Sequence, residues 1–498
     1  MSPLHPVIVG VGQITCRPQE HETAPHALQL VQSAAEACVE DSRCPTILSH
    51  TDSVTVVNMF SWEYNDPAGQ FCEMLRITPK VKEYTAIGGN TPQWLVNRAA
   101  DKISRGEINV ALLAGAEAMS AVSKDTKRNW LTPPGDDESL PPMIGDTRWG
   151  STPHEMMHNA SYPIHIYPLY ENALRARRGH SIDDHQAFLG EYCARFSKIA
   201  ARNPFAWFRE ERSGAEISTI TEANRMVNFP YTKFMNPIMH LNQAAALIIT
   251  SADTARALSI PKERWVYLHG GADAHDRWFV SERNDFVSSP VVREVATASL
   301  AMADTDIGQI NFFDLYSCFP SATMVQAMEI GLDIDNLPPL TITGGLPYFG
   351  GPGNNYTMHA IARAVEKIRQ DPDATGFISA LGWYFTKYSV GIYSGREPHT
   401  PWNRQGHERI QIALDGLQGP VLNENPKGPA YVETYTVMHD QRGEPAYSII
   451  IARTENGERC WAQTERDADL FHTMETEEFI GRKGYVRPGG DGPNIMTF

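Results

Sequence analysis

Three short stretches of this 498-residue chain gather the residue types that do chemistry. "AIGGNTP" places Gly88, Gly89 and Asn90 ahead of an amphipathic helix. "GGLPYFGGPGNNYTMH" repeats the device with Gly351, Asn354, Asn355 and Tyr356, and His359 follows in the next helix. Such turns aim backbone N–H groups at an anion or a developing oxyanion. "LYSCFPSA" sets Tyr316 two residues before Cys318, a phenol suited to proton transfer and a thiol suited to nucleophilic attack. Each residue also has a plain structural use. Asparagine tolerates left-handed turns and caps helices, a core tyrosine needs only a bonded hydroxyl, and a buried thiol simply packs. The second loop lacks the lysine of a P-loop and the spacing of G-x-G-x-x-G, which makes a phosphate cradle the weaker reading.

The elements that must position these residues alternate strand and helix. "HPVIVGVGQ" and "TDSVTVVNMF" read as buried strands, and "ALQLVQSAAEACVEDS" between them has helical periodicity. "AIGGNTPQWLVNRAADKISRGEINVALLAGAEAMS" then runs glycine loop, helix, polar turn and buried strand. "YFGGPGNNYTMHAIARAVEKIRQDPDATGFISALGWYFT" runs through the same order at similar spacing, an internal repeat. The pattern predicts an α/β fold with a buried sheet. Its first half spans residues 1–255, interrupted at about 124–228 by a Pro- and acid-rich excursion with long helices. Excursions of this kind carry substrate-binding elements, and His165 within it is a candidate to reach the pocket. The second half spans 256–400. From 401 to 498, alternation in "AYVETYTVMHD" and "AYSIIIART" predicts a small β-barrel, OB-like, with an acidic surface suited to packing or covering.

Composition narrows the function. A formal net charge of −16 excludes a protein built to neutralise nucleic-acid phosphates. Seven cysteines with no C-x-x-C pair suggest neither a zinc knuckle nor a disulfide framework, and fit a reducing compartment. The N-terminus has no basic n-region and no apolar run approaches a membrane span, so the expectation is a cytoplasmic protein.

Taken in order, several segments resemble the thiolase superfamily over residues 4 to 394. "ALLAGAEAMS" resembles its AGG-x-E-x-MS strand, "YENALRA" its TAEN-x-A segment, and "LNQAAALIITS" its DGAAA element with Asn242 for the aspartate. "LYSCFPSA" is similar to the HDCF motif of sterol-carrier-type thiolases, "GGLPYFGGPGNN" to the GHP loop, and "ISALGWYF" to the final C-x-G turn. With the added C-terminal domain and GGP-x-NNY, the set is most similar to the thiolase-like protein type 1 group.

The resemblance implies a layered αβαβα fold of two repeated halves, and an acyl-CoA substrate in which coenzyme A is part of the substrate itself, with no separate cofactor. It also implies a loss. The family's nucleophilic cysteine falls on Gly89, its GHP histidine on Gly351, its HDCF histidine on Tyr316 and its last cysteine on Ala380. What survives is backbone, since Gly89 and Gly382 keep the N–H groups of one oxyanion hole. The expected activity is carbon–carbon bond chemistry on an acyl-CoA, acyltransferase- or aldolase-like, with Tyr316 as acid–base and Gly89 and Gly382 as oxyanion donors. Asn90, Gly351, Asn354, Asn355, Tyr356 and His359 are the expected substrate-binding set. Two alternatives stand beside it, a non-catalytic acyl-CoA-binding or scaffolding protein and an acyltransferase working through Cys318. Thiolase kinship implies a homodimer paired at the sheet edge, or a monomer if the appendage blocks that edge.

Overall fold

The computed structural model describes residues 4–17, 25–121 and 142–498. The Pro- and acid-rich start of the excursion thus falls largely outside the described residues. Strands of the first half are β1 (Pro6–Thr15), β2 (Ser53–Val56), β3 (Val81–Thr85), β4 (Val110–Ala118) and β5 (Met143–Ile144). The excursion adds β6 (Met226–Asn228) and β7 (Tyr231–Thr232), and β8 (Asn242–Ser251) closes that half. The second half supplies β9 (Val266–His275), β10 (Phe312–Asp314), β11 (Thr375–Gly382) and β12 (Lys387–Ser394). The remaining strands are β13 (Gly428–His439), β14 (Pro445–Thr454), β15 (Arg459–Ala462), β16 (Lys483–Arg487) and β17 (Ile495–Thr497).

Ten strands make one sheet, ordered β10-β11-β12-β9-β1-β8-β4-β2-β3-β5. The halves meet where β1 pairs with β9, at Val7↔Tyr267 and Ile8↔Val266. Strands such as β4 and β8 are buried along their whole length, because alternate residues face different cores. Leu112, Ala114, Ala246 and Ile248 face one core, while Ala111, Leu113, Ala245 and Leu247 face another. The first core holds the helix Ala27–Ser42 through Leu30, Val31 and Ala34. That helix sits so close to β1 that a Cβ on Gly12 would run into the Ala34 carbonyl. The second core holds two helices together, Thr91–Ser104 and Tyr356–Gln370, against strands of both halves. On the far side of β11 and β12, a third core holds the helices Pro290–Met302 and Pro320–Glu329. The two halves of this sheet, joined through the short β1–β9 pairing, thus pack on either side of the paired helices with further helices outside them, and each glycine loop enters one of the two central helices.

The C-terminal strands correct one expectation. They form an open sheet, β15-β14-β13-β16-β17, not a closed barrel. Its outer strands meet only at a single bridge, where Gln463 N–H donates to Asn494 O (2.8 Å) and Met496 N–H donates to Gln463 O (2.8 Å). Nor is the sheet purely C-terminal. β6, from the excursion, pairs with β13 at Asn228↔Met438. The helix Pro163–Arg178 is bonded to the same strand: Asn172 Nδ2 donates to Tyr435 O (2.9 Å), and Thr434 Oγ1 donates to Leu169 O (2.6 Å). Buried Arg175 makes a bidentate pair with Glu478 (2.7 and 2.8 Å). No helix among the described residues is long and apolar enough to cross a membrane.

Candidate functional site

The glycine loops of the repeat touch each other. Gly88 N–H donates to Asn354 Oδ1 (2.8 Å), and Asn354 Nδ2 donates to Asn58 O (3.0 Å). Thr357 Oγ1 donates to Gly89 O (3.4 Å). The end of β11 closes on the same point. A Cβ on Gly382 would lie 2.6 Å from Asn90 Oδ1, and one on Gly89 would lie 2.5 Å from Leu381 O. The Gly89 Cβ would also collide with the Tyr316 hydroxyl. Gly89, Gly382 and Tyr316 are therefore neighbours, and the phenol stands where a side chain on residue 89 would project. The Gly89 and Asn90 amides have no protein acceptor among the described residues, as expected of N–H groups that open a helix.

The other sequence candidates are engaged elsewhere. Asn354 binds the two loops as above, and Asn355 Nδ2 donates to Gly115 O (2.7 Å). The Tyr356 hydroxyl bonds Thr343 Oγ1 (2.5 Å) and Asp314 Oδ1 (3.2 Å). Gly351 donates its N–H to Ile238 O (2.7 Å), tying its loop to the segment that leads into β8. His359 is fully buried with Nδ1 on Gln13 Oε1 (3.0 Å), and burial pulls its pKa down to about 3, so it is neutral. His165 does not reach this point. It packs at the C-terminal sheet, its Nε2 3.3 Å from the Tyr447 hydroxyl. Cys318 lies beside the Tyr167 hydroxyl, and burial pushes its thiol up to about 12. A thiol that acidifies so poorly supplies little thiolate at neutral pH, which weighs against acyl transfer through it. Burial likewise raises Tyr316 far above the ordinary phenol range. Held protonated in this way, it is suited to donating a hydrogen bond or a proton, which favours the acid half of the acid–base role over the base half.

Beside the same turn lies a cleft of about 180 Å³ that the sequence reading missed. Asn90 is the one sequence candidate that lines it, together with Trp94, Asp146, His275, Trp278 and Lys387. Lys387 opens β12, sits 9% exposed, and donates from Nζ to Ile87 O (2.5 Å). Its ammonium is 5.8 Å from the Trp278 ring centre, with the Arg148 guanidinium 3.8 Å from that same centre. Burial draws the Lys387 pKa from 10.5 down to about 8; Asp146 supports the charge and Arg148 opposes it. Asp146 itself is held below the usual carboxylate range: burial works against its ionisation, but the Arg148 bonds (2.6 to 3.1 Å) prevail. The signal available in sequence was a lone charged residue in an otherwise uncharged run, "GWYFTKYSVGIYS".

The turn between β11 and β12 carries its own strain. Trp383 (φ 58°) and Phe385 (φ 64°) occupy the left-handed region without being glycine, at a cost of about 1–3 kcal/mol each. It is held by contacts from three sides. The Tyr167 hydroxyl donates to Trp383 O (3.0 Å), Trp149 packs edge-on against Trp383 (4.8 Å), and Arg283 donates to Tyr384 O and to Thr386 Oγ1 (2.9 Å). This turn fixes Gly382 at one end and Lys387 at the other.

The buried ammonium makes a stability prediction. A lysine whose pKa is about 8 folded and 10.5 unfolded costs the native state about 3 kcal/mol while both states are charged, below pH 8. The native protein sheds its proton first, so the cost fades as pH rises from 8 to 10.5. Lys387→Met removes the charge but leaves Ile87 O without its donor, a loss of about 1 kcal/mol. The variant is expected to be about 2 kcal/mol more stable than wild type at pH 7, with the advantage gone by pH 10.5. Denaturant titrations at the two pH values check this, and a variant less stable at pH 7 overturns it.

Residues 409–491 match the thiolase-like protein type 1 additional C-terminal domain. Among solved structures, a monomeric SCP2-thiolase like protein type 1 (STLP1) from Mycobacterium smegmatis is 33% identical, with 100% of both chains covered and a TM-score of 0.86. An Ltp2-ChsH2(DUF35) aldolase is 16% identical, covering 79% of this chain and 98% of that one, at a TM-score of 0.61. An acetyl-CoA acetyltransferase from Syntrophomonas wolfei is 12% identical, covering 79% and 100%, at a TM-score of 0.58. The last two establish the shared fold alone. A search of curated proteins finds no match. With a third of its residues identical along the full length of the mycobacterial protein, and with that family's added C-terminal domain, this chain belongs to the SCP2-thiolase-like protein type 1 family.

Proposed function

We propose that the protein binds an acyl thioester of coenzyme A and makes or breaks a carbon–carbon bond next to its carbonyl without forming an acyl-enzyme. The observation that carries this reading is the convergence of the unpaired Gly89 amide, the Gly382 turn and the Tyr316 hydroxyl at one point. An enolate or alkoxide needs donors fixed in advance, in a site shielded from water, and no nucleophile. Tyr316 supplies a third donor and, because burial keeps its proton on, delivers that proton only to a strong base such as an enolate carbon or alkoxide oxygen. The aldolase and acetyltransferase named among the structural neighbours are consistent with carbon–carbon and acyl chemistry on this fold, and add support of that general kind.

The test uses a panel of 3-ketoacyl- and 3-hydroxyacyl-CoA thioesters of increasing chain length. Tyr316→Phe is expected to lower kcat by about 10²- to 10³-fold on whichever thioester is turned over, with little change in KM. Unchanged turnover would remove Tyr316 from the reaction. A second reading, acyl-CoA binding without catalysis, is favoured by the tight contact between Tyr316 and Gly89, which leaves little space beside that glycine. It predicts saturable binding of the same thioesters in calorimetry with no product formed.

A further inference from the structure

The Lys387 cleft is not absorbed by that reading. Tyr316, Cys318 and the second glycine loop do not line it, and its walls are of a different kind: indoles from Trp94 and Trp278, a carboxylate from Asp146, an imidazole from His275, and one amine at the base. Lysines are among the residues least often buried, and this one has no carboxylate within ion-pair distance among the described residues. Among the described residues, its one hydrogen bond is to a neutral carbonyl, Ile87 O. The charged groups around it are Asp146, taken up by Arg148, and Asp273, bonded to Arg404 and to Asn97 Nδ2 (2.8 Å). Next to the amine is an unused acceptor. Asn90 Oδ1 is buried without a hydrogen-bond partner, and both it and Lys387 Nζ lie against the bare Cα of Gly88, 2.6 and 2.9 Å from where a Cβ would be.

We infer that this cleft is a carbonyl-capture site, in which Lys387 forms an imine with a small aldehyde or ketone. An apolar, aromatic pocket that desolvates an amine is the environment in which a lysine becomes nucleophilic. The neutral fraction at pH 7 is about one part in ten for an amine titrating near 8, against roughly one in several thousand for an exposed lysine. The step balances without any further reagent. The Nζ lone pair attacks the carbonyl carbon, a C–N bond forms, and a proton passes from nitrogen to oxygen to give a carbinolamine. Its new hydroxyl is the donor that Asn90 Oδ1 lacks. Loss of that hydroxyl with the second nitrogen-bound hydrogen releases water and leaves the C=N bond. His275, which also lines the cleft, is the imidazole available there to carry the proton that the departing oxygen needs. The volume of about 180 Å³ is below the roughly 300–1,000 Å³ of pockets for drug-sized ligands. It suits a short carbonyl compound, with the flat indole walls accepting an apolar or aromatic substituent.

The experiment is reductive trapping on the full-length protein, with propanal, acetone and benzaldehyde as probes and cyanoborohydride as reductant, followed by peptide mass spectrometry. At pH 7 and limiting probe, Lys387 is expected to be alkylated at least tenfold faster than Lys80, an 84% exposed lysine beside Asp52. Its rate is expected to rise with pH to a midpoint near 8. Asn90→Leu should cut Lys387 labelling several-fold while labelling of Lys80 stays the same. Labelling of Lys387 no faster than Lys80 for all three probes overturns the inference, and so does an Asn90→Leu variant that melts like wild type and labels like it. The readout needs no coenzyme A, so its outcome is independent of whether the protein turns over an acyl thioester.

Discussion

A cysteine placed at position 89 is expected to destabilise the protein by about 3 kcal/mol and to leave it without thiolase activity. The resemblance to thiolases makes Gly89→Cys the obvious repair, because the family's nucleophile falls there. The geometry opposes it. The new Cβ meets the Tyr316 hydroxyl, the Tyr316 ring carbon Cζ at 2.7 Å and the Leu381 carbonyl at 2.5 Å. Overpacking of a tight core costs about 1–3 kcal/mol, and three simultaneous contacts, one of them to backbone, put this site at the upper end. Adding Tyr316→Phe relieves the hydroxyl contact but not the Leu381 carbonyl, so the double variant is expected to recover part of the loss and not all of it. Thermal or denaturant unfolding of the single and double variants measures this coupling. A Gly89→Cys protein as stable as wild type would mean that the loops have room the structure does not give them. The mechanism implied is substitution in place: the tyrosine has taken the volume of the thiol, so the two chemistries exclude each other.

The second large effect lies far from the glycine loops. Glu433→Ala is expected to cost about 3–5 kcal/mol, because it strips the counterion from a fully buried guanidinium. Arg459 is 0% exposed and pairs with Glu433 through Nε (2.9 Å) and Nη2 (2.6 Å). Its other hydrogens go to the carbonyls of Ser281, Arg283 and Asn284. Arg453 reaches the same carboxylate from the half-buried side (2.9 and 3.0 Å). Glu433→Gln keeps an acceptor and is expected to lose about half as much. The measurement is the denaturant midpoint of each variant, and an alanine variant with an unshifted midpoint would show that water replaces the pair. The path does not end there. The Arg283 segment held by Arg459 is the one whose guanidinium holds the Trp383–Thr386 turn, so strain in that turn is supported from the C-terminal sheet.

What could be read from the sequence was what depends on local pattern. The matched glycine turns, the paired helices and the strands that follow them carry their own periodicity, and the layers they build are the ones observed. Tyr316, Gly89 and Gly382 were legible because a motif placed them, though not that the phenol would fill the volume beside Gly89. His359 is fully buried because the first two turns of the helix Tyr356–Gln370 are enclosed, and only from Arg363 onward does the helix reach solvent, a difference that periodicity alone does not show. Lys387 went unseen for a different reason: its meaning depends on Ile87, Asp146 and Trp278, and nothing local connects them. The same holds for the C-terminal sheet. Alternation announced its strands, but β6 joins them from residues 226–228, and pairing across such a separation leaves no trace in spacing.

That late pairing has a consequence for how the chain is made. Arg175 and Glu478 are 303 residues apart, and at about 5–20 residues per second a ribosome needs roughly 15–60 s to travel between them. For that interval the helix bearing Tyr167, whose hydroxyl secures the Trp383 turn, has neither its counterion nor the strand it leans on. The nascent chain must stay soluble with a buried-site guanidinium and an aromatic surface still uncovered. Its reliance on chaperones during synthesis should therefore exceed that of a thiolase whose two halves close on each other alone.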